Sequence, residues 1–488
     1  MWSNASRPSL GRLSLAFGLA LAGCTTVGPN FKAPAGPSAA GYAMAGDAAS
    51  SRAVLTPEAR TAGVWWAAFN SPELDKVIGE ALAHSPTLAE ADAALAQARA
   101  QSDAVRGAAL PQADFSAGGQ RERINTQAFG FTGFPSPTIS LYSVGGTASY
   151  DLDLFGGQRR RSEKAQARVE TEARRADAAY LSLTGNVALE ALRIATLRAE
   201  IEAAEAAVDN DRQINRMVEA AERAGGEPRT AISSGQAQLA QDEALLPPLR
   251  DDLATSRHRL AMLVGKSPAE WTAPDFDLAD FTLPDAIPVS LPSSLVRQRP
   301  DILAAEADLH AATAEIGVQT ANLYPDLRLS AGLTQSAIKP ENLFNYSASG
   351  WNLGAGLAGP LFHGGTLRAN RRAAEADARA ALARYQGTVL KAFVQVADSL
   401  QSLAQGDATL AALSRAEQAA QSSLNDRQNA LRLGGGPMLD VVDSQRQLAR
   451  ARRARVQAQG ERYMDAVRLF AATAADWRDA PGAVASAN

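Results

Sequence analysis

Two stretches of this 488-residue chain resemble each other: SPTLAEADAALAQARAQSDAVRGAALPQADFSAGG (Ser85–Gly119) and RPDILAAEADLHAATAEIGVQTANLYPDLRLSAGL (Arg299–Leu333). They align without a gap, so that one constant offset matches Pro86 with Pro300 and Pro111 with Pro325. A chance likeness between two alanine-rich helices does not explain the shared prolines or the shared Ser-Ala-Gly. We therefore interpret the chain as an internal duplication, and the duplication decides the fold.

Each half predicts the same order of elements: helix, strand, loop, strand, very long helix, turn, helix. The strands show period-2 alternation of apolar and polar residues, as between Leu327 and Thr334 and again between Val144 and Asp153. Each segment has about the 9–11 residues that a tilted strand needs to cross a bilayer. A half-buried sheet of a water-soluble protein has the same alternation, so periodicity leaves both interpretations open.

The predicted long helices are the most unusual feature of the chain. No proline lies between Pro137 and Pro228 or between Pro360 and Pro437, so roughly 68 residues after each Gly-Gly pair are free to form helix, about 100 Å at 1.5 Å per residue. Apolar residues recur at steps of three and four, as at Tyr180, Leu183 and Val187. This spacing indicates a coiled-coil-like seam that needs packing partners along its whole length.

The strands and the copy number of the chain are connected. If the strands enter a membrane, their sheet must close into a barrel, because an open edge cannot face lipid. Four strands per chain are too few, since known barrels begin at about eight. Two copies would supply eight strands and three copies twelve, and strand counting alone does not choose between these numbers.

The only cysteine of the chain, Cys24, follows a short secretory signal. Arg7 and Arg12 supply its positive region and residues 13–22 its apolar region, which is too short to span a bilayer. The residues Leu-Ala-Gly-Cys at 21–24 resemble the lipobox of bacterial lipoproteins, which implies cleavage before Cys24 and acylation of that residue. Thr25 stands where an inner-membrane retention signal has Asp, which favours the outer membrane. The alternative is an ordinary signal peptide with a chance cysteine.

Composition and motifs exclude several function classes. The formal net charge is −4 and the isoelectric point about 5.8, so the chain lacks the basic character of nucleic-acid-binding proteins. The four histidines show no spacing typical of metal ligands, and neither an HExxH nor a GxSxG motif occurs. We predict no catalytic residue, no metal site and no cofactor, and hence a protein that is not an enzyme.

Several motifs together resemble the outer-membrane factor family, the TolC-like efflux lipoproteins of resistance-nodulation-division systems. They are the lipobox, VGPNFKAP (27–34), WWAAFNSPELDKVIGEAL (65–82), YDLDLFGGQRRR (150–161), LVRQRPDILAAEADL (295–309), LYPDLRLSAG (323–332) and LDVVDSQRQL (439–448). The resemblance implies a homotrimer with a twelve-stranded outer-membrane β-barrel continued by a long α-helical barrel. It also implies a passive exit duct for small amphiphilic compounds, joined through a periplasmic adaptor protein to an inner-membrane pump, and held in outer-membrane lipid.

We therefore expect a mostly α-helical chain with a membrane β-barrel, built from two tandem repeats with four strands per chain. The expected segments are a signal peptide (1–23), a lipidated N-terminal segment with an equatorial helix (24–84), the first repeat (85–265), an equatorial linker (266–298), the second repeat (299–472) and a C-terminal tail (473–488). The alternative function is a structural or adaptor lipoprotein that has a periplasmic helical hairpin and no pore. That alternative gives no role to four alternating segments of membrane length.

The last expectation concerns a gate at the periplasmic tip. Leu439, Asp443 and Arg446 follow a Gly-Gly-Gly-Pro turn with i, i+4, i+7 spacing, so they share one helix face. A solvated helix start is the simpler interpretation of that spacing. The family resemblance implies that these three residues form the aperture. The internal repeat places Thr230, Ser234 and Ala237 at the matching positions, so only the second hairpin carries the charges.

Overall fold

The computed structural model of the protein describes residues 26–36, 39–47, 53–56, 64–130, 133, 135–226, 228–283 and 286–473. The predicted signal peptide and Cys24 lie outside these residues. The described chain forms two compact units, one from residues 26–34, 95–171 and 305–385, and the other from residues 35–94, 172–304 and 386–473. Each helix in the described part of the chain is either too short or too polar to cross a bilayer.

The first half contains, in order, β1 (Ala53–Thr56), a 3₁₀ helix (Trp65–Phe69), α1 (Pro72–His84), α2 (Pro86–Gly107), β2 (Gln112–Arg123), β3 (Thr138–Leu152), α3 (Gly157–Arg223), α4 (Arg229–Glu243) and α5 (Leu246–Leu263). The second half contains β4 (Ile287–Ser290), α6 (Pro292–Leu295), α7 (Pro300–Ala321), β5 (Asp326–Ala337), β6 (Ser349–Ala358), α8 (Thr366–Arg432) and α9 (Met438–Thr473). The order predicted for each half is therefore present, and the chain is mostly helical with few strands.

The two halves differ in their returning helix. In the second half α9 is one helix of 36 residues, whereas in the first half α4 ends at Glu243 and α5 begins at Leu246. Pro247 and Pro248 open α5, and a proline in a helix interior lacks the donor N–H and clashes with the preceding turn. The break therefore follows from the two prolines.

The four predicted long strands form one antiparallel sheet in the order β2-β3-β5-β6. The bounds of β2 and β5 correspond at the same offset as the sequence repeat, so Gln112 matches Asp326. Gln112 pairs with Ser149 in the β-hairpin of β2 and β3, and Asp326 pairs with Ala358 in the β-hairpin of β5 and β6. Ser149 of β3 therefore corresponds to Ala358 of β6. The second sheet, in which β1 pairs in parallel with β4, was not predicted from the sequence.

The long sheet has one apolar and one polar face, as the alternation predicts. One row of neighbours across the sheet is Phe115, Gly146, Leu333 and Trp351, and large side chains of this face are exposed, Trp351 by 77%. The other face carries small and polar residues, and there the Arg328 guanidinium donates to both carboxylate oxygens of Asp151 at 2.6 and 3.0 Å.

The helices α3 and α8 contain 67 residues each, about 100 Å at 1.5 Å per residue, close to the predicted length. Both end in the same way. Gly225 and Gly434 adopt φ of +76°, and the next amide donates to the carbonyl of a residue five positions earlier, from Gly226 to Ala221 and from Gly435 to Ala430 at 2.9 Å. This left-handed cap ends a helix with its last carbonyls satisfied and favours glycine.

An aromatic cluster lies at the centre of the unit that contains α1. The Trp65 ring stacks on Phe470 with centroids 5.8 Å apart, and Phe69 packs edge-on against Phe470. Arg299 is buried beside α9, where it donates to the carbonyl oxygen of Ala472 at 3.0 Å and forms a bidentate pair with Asp301. The 3₁₀ helix and the start of the second repeat are thus both fixed to the C-terminal part of α9.

Candidate functional site

The turn between α8 and α9 has the backbone that the sequence predicts. Gly434 ends α8, and Pro437 lies directly before α9, where its carbonyl accepts the first bond from the amide of Asp440 at 3.2 Å. Proline has no amide hydrogen, and none is needed before the first helical turn. The helix that carries the three predicted gate residues therefore starts immediately after a rigid corner.

The first turns of α9 pack one face against α3 and α4. Val442 is buried with Ile214 and Val218 of α3, and Met438 contacts the same cluster. Leu439 and Asp443 lie outside this cluster and are exposed. The apolar contact thus fixes α9 against α3 and α4 and leaves Leu439 and Asp443 available to solvent.

The structure brings two of the three predicted residues together. The Nη1 atom of Arg446 lies 3.4 Å from Oδ1 of Asp443, whose side chain is 58% exposed. The Arg446 side chain is only 24% exposed, and its Nε atom is buried without a hydrogen-bond partner among the residues that the structure describes. The helix spacing alone accounts for the Asp443–Arg446 contact, but it does not account for the burial of Arg446.

Two acidic residues that sequence reasoning missed lie near Arg446, namely Asp211 of α3 and Asp242 of α4. Asp211 is 7% exposed, and burial raises its pKa to about 7, with a further rise from its hydrogen bond to Asp242 and from the charge of that group. The positive charge of Arg446 lowers the pKa of Asp211, so the Arg446 guanidinium lies within electrostatic reach of that carboxyl group. A signal was present in the sequence, because Asp211 continues the apolar seam of α3 three residues after Val208 and three before Ile214.

A small cavity of about 210 Å³ adjoins this group of charges. Its apolar lining includes alanines of α3 and α9. Its polar lining consists of Gln238, Gln241, Asp242, Arg446, Arg450 and Arg453. The Nε2 atom of Gln238 donates to the Asp242 carboxyl group at 2.9 Å, so a residue of the same helix orients Asp242. The contact between the two hairpins is thus polar beside the apolar cluster around Val442.

The other predicted site residue, Cys24, lies outside the described residues, but the segment that follows it is held firmly. Arg160, 3% exposed on its side chain, donates to the carbonyls of Val27 and Gly28 at 3.1 and 3.2 Å and to Oδ1 of Asn30 at 2.8 Å. Gly28 has φ of +89°, and a β-carbon there would lie 2.5 Å from Cα of Gly317. Glycine is therefore required at position 28 for both reasons.

Comparison with known proteins identifies the family. The profile of the family described as outer membrane efflux protein matches residues 77–266 and 291–475, one segment in each half of the chain. The chain belongs to the outer membrane efflux protein family. The resemblance found in the sequence motifs is thereby confirmed, and the protein is an outer-membrane efflux channel.

Individual members of the outer membrane efflux protein family match over most of the chain. The pyoverdine export outer membrane protein OpmQ of Pseudomonas aeruginosa is 29% identical over 418 residues, which cover 85% of this chain and 87% of OpmQ. The probable outer membrane lipoprotein SilC of Salmonella typhimurium is 27% identical over 473 residues, 95% of this chain and 98% of SilC. The structure of the outer-membrane channel OprN superimposes with a TM-score of 0.85 at 27% identity, covering 93% of this chain and all of that chain.

Proposed function

We propose that three copies of this chain form a passive exit duct for small amphiphilic compounds. The four-stranded sheets close into a twelve-stranded barrel in the outer membrane, and the long helices form a tunnel through the periplasm. A resistance-nodulation-division pump in the inner membrane supplies the cargo through a periplasmic adaptor. Acylation of Cys24, after removal of residues 1–23, adds a lipid anchor, and Leu439, Asp443 and Arg446 form the gate at the periplasmic tip.

The observation that carries this proposal is the exposed apolar face of an open sheet. Its outer strands, β2 and β6, each have one edge without a strand partner in the described chain. In lipid, unpaired backbone N–H and C=O groups cost several kcal/mol each, so the sheet has to close. Closure with only four strands falls short of the smallest known barrels, and additional copies of the chain supply the missing strands.

The internal repeat supports a specific pairing between copies. Within the chain the two repeats meet at β3 and β5, where Ser149 lies opposite Ser330. The same kind of pairing can join the second repeat of one copy to the first repeat of the next copy. In that case β6 of one copy pairs with β2 of the next copy, as β3 pairs with β5 within the chain. Ala358 then takes the place of Ser149, and Ser116 of the next copy takes the place of Ser330, so these two residues lie opposite each other. Both lie on the polar face, which faces the water-filled lumen of the duct.

Disulfide formation between copies tests the pairing. Directly opposed residues of antiparallel strands have Cα atoms about 4.5–5.5 Å apart, which suits a disulfide. The variant Ser116→Cys/Ala358→Cys should therefore give covalent dimers and trimers on non-reducing gels. The control variant Gln120→Cys/Ala358→Cys is displaced by four residues, about 13 Å along the strand, and should stay monomeric.

Conductance completes the test of the duct. The oxidised Ser116→Cys/Ala358→Cys trimer should conduct ions in planar bilayers, because the disulfide lies along an existing pair of strands and leaves the lumen open. A chain that forms neither cross-link and no conducting trimer would contradict the duct and favour the lipoprotein without a pore. Cross-linking of the control variant alone would refute the register but not the trimer.

A further inference from the structure

The apolar face of the long sheet changes character at the end away from the helices. Residues at odd positions of β2 lie on this face, which therefore runs from Phe115 through Ala117 and Gly119 to Arg121 and Arg123. On the neighbouring strand, Arg121 lies opposite Ser140, and Arg123 lies opposite Thr138. The face that carries large apolar residues along most of its length thus ends in two cations flanked by two hydroxyl groups.

The two arginines differ from other charged residues of this sheet. On the polar face Arg328 is paired with Asp151, and Glu122 accepts a hydrogen bond from Gln120 at 2.6 Å. Arg121 and Arg123 are exposed, and neither has an ion pair among the residues that the structure describes. Among the described residues, the two guanidinium groups make one hydrogen bond, a long one from Nε of Arg123 to the carbonyl oxygen of Ser136 at 3.4 Å. Their other N–H donors are available to an anion.

The place of these donors in the membrane defines the anion. Since α3 and α8 begin at the opposite end of the sheet, Arg121 and Arg123 lie at the end of the barrel that faces the cell exterior. They stand one and two rows beyond Tyr142, an aromatic residue of the kind that marks the membrane interface in such barrels. Cations on the lipid-facing side at this height meet lipid headgroups, and guanidinium binds phosphate with two parallel hydrogen bonds.

We propose that Arg121 and Arg123 form a binding site for the phosphate groups of a phosphorylated glycolipid in the outer leaflet of the membrane. The inference rests on the proposed function, in which the sheet crosses the outer membrane and the long helices lie in the periplasm. The register inferred for the trimer adds a third component, because it places Trp351 of the partner subunit opposite Arg123 on the same face. An indole ring beside a guanidinium attracts the cation and restricts its orientation.

Native mass spectrometry of the purified trimer with diphosphorylated lipid A tests the site. Each basic side chain at an anionic lipid surface contributes about fivefold in affinity. The variant Arg121→Gln/Arg123→Gln should therefore bind the lipid about 25-fold more weakly than the wild type. The matched control is Arg159→Gln/Arg368→Gln, which removes two exposed arginines without ion pairs in the described chain at the opposite end of the sheet and should bind normally.

Two further arms identify the source of the phosphate. Lipid A without phosphates should bind weakly, with equal affinity for the wild type and Arg121→Gln/Arg123→Gln. Inorganic phosphate at millimolar concentration should not displace the lipid, and displacement would show a site for free phosphate. Equal binding of diphosphorylated lipid A by both arginine variants and the wild type would overturn the proposal. The same spectra report the trimer, so its absence in the wild type would contradict the proposed function instead.

Discussion

Removal of the charges at the start of α9 should open the periplasmic end of the duct. The perturbation is the double substitution Asp443→Ala/Arg446→Ala, which eliminates the contact of 3.4 Å between the two side chains. It also removes Arg446 from the neighbourhood of Asp211 and Asp242 on the first hairpin. The apolar contact of Val442 with Ile214 remains, so the hairpins should keep their fold and lose only the polar part of their contact.

The size of the effect follows from the exposure of the groups. Opening between the hairpins separates Arg446, which is 24% exposed, from Asp211 and Asp242 of the first hairpin. A solvent-screened ion pair contributes about 0–1 kcal/mol, so we assign about 0.5–1 kcal/mol to this contact in each copy. Three copies that open together give about 1.5–3 kcal/mol, which corresponds to a shift of the open-to-closed ratio of roughly 10- to 150-fold. Arg446→Ala alone should have a larger effect than Asp443→Ala alone, because Asp443 contacts Arg446 within α9, whereas Arg446 also interacts with the carboxyl pair of Asp211 and Asp242.

Single-channel recording in planar bilayers measures this shift as an increase in open probability and mean conductance. The matched control is Arg427→Ala/Asp440→Ala, which removes an ion pair of 2.8 Å at the same turn. That pair joins α8 and α9 of one hairpin, so opening between hairpins does not break it. An unchanged conductance of a well-folded Asp443→Ala/Arg446→Ala trimer, or an equal increase in the control, would refute the reasoning.

Three further predictions concern other parts of the chain. The packed state raises the pKa of Asp211 to about 7 from an unfolded value of about 3.9, so stability that is present at low pH is lost as the pH rises towards and through 7. Hydrogen-exchange protection around Asp211 should accordingly fall between pH 5 and pH 8 in the wild type but not in Asp211→Asn, and parallel curves would contradict this. Intact-mass analysis should show loss of residues 1–23 and an added acyl mass on Cys24, whereas an unmodified chain with another start would exclude the anchor. Gly28→Ala should expose the segment around it to protease, because its β-carbon would collide with Gly317, while Gly41→Ala, which has open space around it, should not.

The sequence was sufficient for the repeated elements of the fold because each has a strong local cause. Absence of proline and a regular apolar seam predicted the two long helices, which end at glycines with positive φ as expected. Alternation predicted the four long strands. In β2 the alternation is less regular, since Arg121 and Arg123 lie on the otherwise apolar face. Period-2 analysis treats them as noise, whereas the register places them at the end of the face away from the helices.

The features that the sequence did not predict depend on contacts between distant residues. The pairing of β1 with β4 joins Ala53 to Ile287, and four-residue strands are too short for a periodic signal. The carboxyl groups of Asp211 and Asp242 belong to two different helices of one hairpin, α3 and α4. Only the packing of α4 on α3 brings these two side chains together, and local patterns contain no information on that packing.

The duplication also bears on why the charges of the proposed gate are unequally divided between the two helical hairpins. The first long helix of each helical hairpin ends in the same left-handed glycine cap, so the two tips have the same backbone conformation at that point. The first hairpin carries Thr230, Ser234 and Ala237 at the positions that hold Leu439, Asp443 and Arg446 in the second, and it contributes the buried carboxyl pair instead. Attraction between the hairpins therefore runs from the interacting carboxyl pair of the first to the guanidinium of the second. Because one hairpin holds both acids, transfer of the Arg446 charge to position 237, as in Ala237→Arg/Arg446→Ala, should not restore closure.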